Sequence, residues 1–343
     1  MTRRSAMLSE SDLALVNALQ VWPRAPWTAV ATSLGVRSAE AVARRWDRLS
    51  TRGDAWTTAY FRALSTGGCI ALVTARCRPG TKEQVAATLA EDSCCISADI
   101  TAGTQDLLLT IAAQDLEALN QYLFQHVEQV PGLIATTTAL ATRFYSEGAN
   151  WRLHALGASA HAALDPGFGQ QSTQSTPFGS LDRKLAGLLS ADGRTSYAQL
   201  AEESGTSEAT ARRRITAMLR SRVLALRCEV AAPLVGLPVT ATLRGRVAAF
   251  DLDRVGAGLA GLAPVRMCAA VTGEHNLVAT VWLPSISAVQ QFEQVATRNF
   301  PALVVHDTLV NLRTVKRMGR LLDHSGRATG FVPMRAWSHQ SEG

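Results

Sequence analysis

The stretch GTSEATARRRITAML, residues 205–219, places three arginines in a row inside a segment that has the spacing of a helix. Its apolar residues share one face at a period of 3.6 residues: Ala211, Ile215, Met218 and Leu219. Arg213 and Arg220 point nearly opposite to this face, and Arg212 and Arg214 flank it. Because adjacent cations repel each other, a helix that only fills a core rarely carries them. The pattern predicts a helix with one buried face and one face that meets solvent or a polyanion.

Two shorter helical segments precede this helix. LDRKLAGLLSAD (181–192) is amphipathic, YAQLAEES (197–204) follows it, and Gly205 supplies a tight turn. Ser207 is placed to cap the third helix. Three helices of which the last has an apolar inner face and a cationic outer face are typical of a helix-turn-helix unit, whose third helix enters the major groove of DNA.

The amino-terminal part of the chain repeats this design in SLGVRSAEAVARRWDRLSTRG (33–53). It has a turn glycine at Gly35 and an apolar face of Val42, Trp46 and Leu49. A solvated charged face would explain either helix alone, but two similar units that are cationic on the same side favour DNA contact. The outward-facing arginines and the residues near the helix starts are the expected DNA contacts: Ser38, Arg44, Arg45, Arg48, Ser207, Thr210, Arg212, Arg213, Arg214 and Arg220.

The two halves of the chain match each other at an offset of about 170 residues. The offset superposes identical or similar residues: Arg24 on Arg194, Trp27 on Tyr197, Gly103 on Gly273 and Arg143 on Arg313. The same spacing holds through every predicted element, with a slip of one residue between 37 and 48. We therefore interpret the chain as an internal duplication.

The remainder of each half alternates strands and helices in the order β-α-β-β-α-β, which is the ferredoxin-like pattern. We predict an α+β fold with two winged or trihelical helix-turn-helix domains and two ferredoxin-like domains. The predicted boundaries are 8–60 and 180–230 for the helix-turn-helix domains, 68–147 and 236–320 for the ferredoxin-like domains, and 157–179 for a flexible linker. Residues 324–343 have the composition of a disordered polar tail.

The totals describe a globular protein with a modest basic excess. The 343 residues are 47% apolar and 18% charged, and the formal net charge is +6. No window approaches the roughly 18 unbroken apolar residues of a membrane helix, and the amino terminus lacks the apolar stretch of a signal peptide. The six cysteines form no CxxC pair. We expect reduced thiols, a cytoplasmic location and no membrane partner.

Two segments resemble the Lrp/AsnC family of bacterial transcriptional regulators. LDRKLAGLLSADGRTSYAQLAEESGTSEATARRRI (181–215) is closely similar to the family's opening helix-turn-helix, and SESDLALVNALQ with APWTAVATSLGV is less so. ITAGTQDLLLTI and VTGEHNLVATV resemble the family's Gly-x-x-Asp turn at the dimer interface of the effector-binding domain. The resemblance implies effector-binding residues at two turns: Gly103, Thr104, Gln105, Asp106, Gly273, Glu274, His275 and Asn276. Asn276 stands where the family pattern has aspartate.

The resemblance also implies partners and an assembly. The expected partners are double-stranded DNA and an amino acid or similar small metabolite bound at a cleft between paired effector domains. With two such domains in one chain, we expect an intrachain pseudo-dimer, and two or four chains as a homo-oligomer. Two recognition helices per chain would contact two half-sites about one DNA turn apart, roughly 34 Å. Since the two helices differ in sequence, we expect an asymmetric operator.

Two other functions remain open from the sequence. Siroheme decarboxylases resemble the same two-part architecture, and a ligand-independent architectural DNA-binding protein would need no effector. The chain has no GxSxG, P-loop or GxGxxG motif and no recognisable Ser-His-Asp arrangement, so we expect no enzyme activity, no metal and no cofactor. His275 and His306 lie nearest the predicted cleft, and structural hydrogen bonding is the favoured role for both. The neighbouring Cys94 and Cys95 indicate either a thiol sensor or, as we favour, apolar strand residues.

Overall fold

The computed structural model describes residues 7–65, 67–164 and 179–334. Its helices are α1 (Glu10–Val21), α2 (Trp27–Ser33), α3 (Ala39–Thr51), α4 (Lys82–Ala90), α5 (Leu116–Tyr122), α6 (Ala158–Ala162), α7 (Ser180–Ala191), α8 (Tyr197–Ser204), α9 (Glu208–Arg220), α10 (Leu252–Ala260) and α11 (Ser287–Asn299). Its strands are β1 (Ala55–Phe61), β2 (Cys69–Cys77), β3 (Cys95–Ala102), β4 (Leu107–Ala113), β5 (Leu133–Ser146), β6 (Leu224–Val230), β7 (Val239–Arg246), β8 (Val265–Val271), β9 (Leu277–Leu283), β10 (Val304–Arg317), β11 (Arg320–Leu322) and β12 (Ala328–Phe331). A π-helical turn, Leu123–Val127, extends α5.

Both halves have the same order of elements. Three helices and one strand come first, and a β-α-β-β-α-β unit follows, from β2 to β5 in the first half and from β7 to β10 in the second. The predicted α+β class and the ferredoxin-like units are confirmed. That the halves arose by duplication stays a prediction. Within the described ranges, no helix is both long and apolar enough to cross a bilayer.

The two ferredoxin-like units share a closed ring of strands. The order is β10-β3-β4-β2-β5-β8-β9-β7, and β7 also pairs with β10, so the last strand meets the first. The two junctions between the halves are antiparallel: β5 pairs with β8, and β10 pairs with β3. The predicted pseudo-dimer is thus a single hydrogen-bonded barrel rather than two sheets that only stack.

Apolar side chains cover both surfaces of the barrel wall. On the outside, α4 and α5 pack on the first half through Val85 and Leu119, and α10 and α11 pack on the second half through Val255 and Phe292. Because successive strand residues point to opposite faces, Leu72 points to the inside, where it packs with side chains from β8 and β9. The helices therefore enclose the barrel without filling its interior.

The two helix-turn-helix units are joined by a separate two-stranded sheet. β1 follows α3, β6 follows α9, and the two strands pair antiparallel from Ala55–Val230 to Phe61–Leu224. The chain continues from each strand into the barrel. The strand pair therefore links the recognition helices to each other and to the ferredoxin-like units.

The sequence prediction was wrong about residues 324–334. These residues include β12, which pairs with β11, and Ala328 donates its backbone N–H to Gly53 O at 2.9 Å. Arg327 donates from Nε to Asp54 Oδ1 at 2.6 Å, and Asp54 is almost fully buried. A buried carboxylate needs such a cation, which the polar composition of the segment did not indicate. The rest of the predicted tail, 335–343, lies outside the described residues.

The predicted flexible linker, 157–179, is only partly described. Its first residues form α6, and Leu164 is fully buried against the first helix-turn-helix unit. The start of the segment is therefore structured, in contrast to the prediction, and residues 165–178 lie outside the described ranges.

We expect Arg327→Gln to destabilise the protein by about 1–3 kcal/mol, because Asp54 would stay buried with a weaker set of partners. Asp54 would retain its ion pair with the exposed Arg52, at 3.3 Å. The matched control is Arg254→Gln, which removes an exposed pair with Asp251 that contributes under about 1 kcal/mol. Urea denaturation followed by circular dichroism measures both variants. If both variants lowered the unfolding free energy by the same small amount, the pair between Arg327 and Asp54 would add no more stability than an exposed ion pair.

Candidate nucleic-acid interface and effector turns

The two recognition helices, α3 and α9, begin at serine caps and bury one apolar face each. Ser38 Oγ accepts from the backbone N–H of Ala41 at 3.1 Å, and Ser207 Oγ accepts from that of Thr210 at 3.2 Å. Their inward-facing residues belong to the cores of the two helix-turn-helix units: Val42, Trp46 and Leu49 in one and Ala211, Ile215 and Met218 in the other. The predicted inner faces are confirmed. Ser207 Oγ also donates to Thr210 Oγ1 at 2.9 Å, so Thr210 is engaged in the cap.

Most of the predicted arginines lie on the outer faces of these helices. The exposed ones are Arg44, Arg48, Arg212, Arg213 and Arg220. Arg212 pairs with Glu208 one turn earlier, at 3.0 Å, and this pair is exposed to solvent, where ion pairs contribute little. Among the described residues, Arg48, Arg213 and Arg220 form no ion pair or hydrogen bond through their side chains.

Two of the predicted arginines turn towards the protein instead. Arg45 is half-buried and pairs with Asp12 of α1 at 3.7 Å. Arg214 is half-buried and pairs with the buried Asp182 of α7 at 3.6 Å. Both acids lie in the first turn of the first helix of their unit. The expectation that Arg45 faces outward is therefore wrong, because a carboxylate next to the third helix attracts its guanidinium group.

The two helix-turn-helix units contact each other through a reciprocal pair of arginines. Arg24, between α1 and α2, donates to Gly193 O at 2.8 Å and lies 4.4 Å from the ring centroid of Tyr197. Arg194, between α7 and α8, donates to Pro23 O at 2.6 Å and lies 3.7 Å from the ring of Trp27. Each arginine thus binds the loop and the aromatic ring of the opposite unit.

This contact was missed in the sequence, although its residues were aligned there. The offset of the repeat superposes Arg24 on Arg194 and Trp27 on Tyr197. Both rings are only half-buried, because each covers an arginine of the other unit. When two halves pair around a pseudo-twofold axis, a contact from one half to the other is repeated in the opposite direction by the equivalent residues. This symmetry was the available signal for the contact.

The predicted effector turns have similar backbones and different side chains. Gly103 and Gly273 both have a positive φ, 120° and 107°, which favours glycine. Asp106 Oδ2 accepts from the backbone N–H of Cys77 at 2.9 Å. Asn276 does the same for Val247 at 2.9 Å and also donates to Val247 O at 2.7 Å. Asparagine at this position therefore keeps the hydrogen bond to the backbone at the end of the neighbouring strand, which is β2 in the first half and β7 in the second.

The surroundings of the second turn carry charged and titratable groups. His275 and His306 meet edge to face, with ring centroids 5.1 Å apart, and the pKa of His275 is lowered by burial and by the charge of Arg244. Arg244 binds Asp307 through two hydrogen bonds, the one from Nε measuring 2.7 Å. Thr104 of the first turn donates to Asp307 Oδ2 at 3.3 Å, so both halves contribute to this region.

The cysteines are all free thiols among the described residues. Cys95 is buried, and burial raises the pKa of its thiol to about 12. A thiol with such a pKa stays protonated and unreactive near neutral pH. This favours the interpretation of Cys95 as a strand residue over that of a thiol sensor, and Cys94 lies directly before β3.

Models of two known protein domains match parts of this chain. A model of the AsnC-type helix-turn-helix domain matches residues 180–219, and a model of the Lrp/AsnC ligand binding domain matches residues 70–151. These two regions are similar to the helix-turn-helix and ligand-binding domains of the Lrp/AsnC family. The predicted resemblance is confirmed, with the two domains recognised in different halves of the chain.

The proteins that this chain is similar to include regulators and an enzyme. It is 27% identical to an uncharacterized HTH-type transcriptional regulator of Pyrococcus furiosus over 113 residues, which are 33% of this chain and 76% of the relative. The siroheme decarboxylase NirDL aligns with 90% of this chain and 93% of its own, with a TM-score of 0.58 and 14% identity. The leucine response regulatory protein LrpA of Mycobacterium tuberculosis aligns with 39% of this chain and 92% of its own, with a TM-score of 0.36 and 23% identity.

One further group of charged residues is a buried cluster around Glu229 of β6. Glu229 is fully buried and accepts from Arg227 and from Arg266 Nη2, the latter at 2.7 and 2.9 Å. Arg317 lies at 4.0 Å. Burial alone would raise the pKa of Glu229, but the three arginines outweigh it and lower the pKa to about 2. Sequence reasoning missed this cluster because its members come from three strands that are distant along the chain, β6, β8 and β10.

We expect Glu229→Gln to destabilise the protein by about 3–5 kcal/mol, because three buried or nearly buried arginines would lose their counter-ion. Since the pKa of Glu229 is lowered from 4.5 to about 2, its contribution is present above about pH 4.5 and is lost as the pH falls towards 2. The difference in unfolding free energy between wild type and variant should therefore shrink on acidification. The control is Glu208→Gln, which alters an exposed helix pair. A difference that does not change with pH would contradict this assignment.

Proposed function

We propose that this protein is a transcription regulator in which each chain binds double-stranded DNA with both α3 and α9. The observation that carries the proposal is the pair of capped helices with exposed, unpaired arginines on their outer faces. These arginines are Arg213 and Arg220 on α9 and Arg48 on α3. Guanidinium groups that are not neutralised within the protein are free to replace the counter-ions of DNA phosphates.

The arrangement of the two units supports the use of both helices at one site. β1 pairs with β6, and Arg24 and Arg194 cross between the units. Both recognition helices are therefore held by the same contacts, which fix their separation. A regulator of this kind needs no second chain to present two recognition helices, and we propose further assembly into two or four chains on the family's pattern.

The two helices differ at positions that would face DNA, so we propose an asymmetric operator. In the repeat alignment, Arg48 of α3 corresponds to Ala217 of α9, and Arg37 precedes α3 where α9 has Thr206. Side chains with different reach and charge contact different bases and phosphates. A footprint with a perfect inverted repeat would contradict this part of the proposal.

We expect Arg213→Ala to weaken DNA binding and to lower the slope of log affinity against log salt by about 1, because one phosphate contact is lost. Arg48→Ala should do the same from the other unit. The matched control is Arg254→Ala, which removes an exposed arginine from α10 on the ferredoxin-like unit. Fluorescence anisotropy with a bound genomic fragment across a salt series measures all three. Slopes that are unchanged in both recognition-helix variants would contradict the proposed interface.

We further propose that the turns at Gly103–Asp106 and Gly273–Asn276 bind an amino acid or a similar small metabolite. A ligand at 100 times its dissociation constant should add about 2.7 kcal/mol to the unfolding free energy. Differential scanning fluorimetry against an amino-acid panel tests this, with Thr104→Ala to remove the hydroxyl that bonds Asp307. A panel without any stabilising member would favour the architectural alternative, in which the barrel only assembles the DNA-binding units.

A siroheme-decarboxylase-like enzyme is the second candidate, because the similarity in fold to NirDL extends over 90% of this chain. At 14% identity this similarity concerns the fold alone, and DNA binding is supported by the outward-facing arginines. Addition of an iron-uroporphyrin to the purified protein discriminates the two. A shift of its Soret band that depends on protein concentration would favour the enzyme, and an unchanged spectrum would count against it.

A further inference from the structure

A cavity of about 440 Å³ occupies the interior of the barrel at the end that faces β1 and β6. Every strand of the barrel contributes to its lining, which also includes Tyr60 and Arg62 of the first connecting segment. The volume lies within the roughly 300–1,000 Å³ of ordinary small-molecule sites. The effector turns are at the other end of the barrel: Asp106 bonds to Cys77 at the far end of β2, whereas Ile70 near the start of β2 lines the cavity.

The lining combines an apolar wall with an excess of positive charge. Leu72, Phe144 and Met267 belong to the wall. The cationic lining residues are Arg62, Arg143, Arg227, Arg266, Lys316 and Arg317, and the acidic ones are Asp99 and Glu147. Arg62 pairs with Glu147 and Arg143 pairs with Asp253 of α10, so the excess charge comes from the other four cations. Among the described residues, Glu229 is the carboxylate that accepts from both Arg227 and Arg266, and its single charge neutralises only part of theirs. The cavity therefore attracts an anion.

Two buried N–H groups in this lining have no hydrogen-bond acceptor among the described residues. They are Nη1 of Arg266 and Nε of Arg227, and the two arginines are only 4% and 8% exposed. Buried donors are almost always satisfied in proteins, and a charged donor that lacks an acceptor is especially costly. The Arg266 guanidinium is also held in place by Trp282, at 3.9 Å from the ring centroid, and by Trp151, at 4.5 Å.

We propose that this cavity binds a small organic carboxylate, with its carboxylate group on Arg266 and Arg227 and its apolar body against the barrel wall. Guanidinium groups match the two oxygens of a carboxylate in geometry and charge. An inorganic ion that keeps its hydration shell would leave the apolar wall in contact with water, which gives no hydrophobic stabilisation. An occupant with an apolar body is therefore favoured. This site is additional to the effector turns and does not depend on DNA binding.

The cavity lies against the strands that carry the recognition helices. Arg227 belongs to β6, and Tyr60 belongs to β1, which pairs with β6. Tyr60 OH donates to Glu147 Oε2 at 2.5 Å, and Arg62 Nε bonds to the same carboxylate at 3.2 Å. An occupant would therefore contact the segment that connects the barrel to the DNA-binding units.

The probe for this site is 8-anilinonaphthalene-1-sulfonate, an anion with an apolar body whose fluorescence rises on burial. Wild type should bind it, and Arg266→Gln should bind it about tenfold or more weakly, because a charge-assisted hydrogen bond is lost. The neutral analogue N-phenyl-1-naphthylamine should bind both proteins equally. Arg254→Gln is the matched control and should change neither dye. Phenylacetate should displace the anionic dye, and neutral phenylacetamide should not.

A second variant keeps the test valid if Arg266→Gln does not fold. Met267→Trp leaves every charge in place and fills the cavity, so it should weaken both dyes while circular dichroism and thermal unfolding stay close to wild type. The proposal is overturned if folded wild type binds no anionic dye, or if Met267→Trp binds it as well as wild type does. Displacement by phenyl phosphate but not by phenylacetate would also overturn it, in favour of a phosphorylated ligand. DNA affinity is measured separately, so failure here leaves the proposed regulator untouched.

Discussion

Arg24 and Arg194 determine how the two helix-turn-helix units sit against each other. Each arginine donates to carbonyl groups in the loop that precedes the other unit's second helix and lies over an aromatic ring of that helix. A desolvated contact between a guanidinium group and an aromatic ring stabilises by about 2 kcal/mol. Since the two contacts are related by the pseudo-symmetry of the halves, a rotation of one unit breaks both. The positions of α3 and α9 follow from this constraint.

Placing two guanidinium groups so close together has a cost that the structure offsets locally. Burial and the neighbouring charge of Arg24 lower the pKa of Arg194 to about 10, which still leaves it charged near neutral pH. The carbonyl groups of Pro23 and Ala25 accept its hydrogen bonds at 2.6 and 3.0 Å. The strand pair β1–β6 connects the same two units to the barrel. Strand β6 also carries Arg227 and Glu229. The strand pair thus connects the two helix-turn-helix units to arginines that line the barrel interior.

Patterns that repeat along the chain made much of the fold predictable. The 3.6-residue spacing of Val42, Trp46 and Leu49 identified the inner face of α3, and the order of strands and helices identified the ferredoxin-like units. The turn glycines, Gly103 and Gly273, were located from the repeat and from the resemblance to the family's turn, and the positive φ of both explains why glycine occupies these positions. These features depend on local chemistry, which a sequence displays directly.

Features that depend on partners distant in sequence were not predictable in the same way. Arg45 carries the same side chain as Arg44, and only the position of Asp12 in space turns it inward. Asp54 and Arg327 are separated by most of the chain, so the carboxyl-terminal hairpin was mistaken for a tail. The arginines around Glu229 come from three strands, and no spacing marks them. Ion pairs inside a fold are determined by topology, which composition and periodicity do not contain.

The most direct test of the account concerns the fixed separation of the two recognition helices. Affinity should be measured for a duplex that contains the bound site, for the same duplex with 5 base pairs inserted between its two halves, and for one with 10. We predict that both insertions reduce the affinity to that of a single half-site, because the paired units neither rotate by half a turn nor extend by a full turn of about 34 Å. Equal affinity for all three duplexes would contradict a rigid pair of helices within one chain.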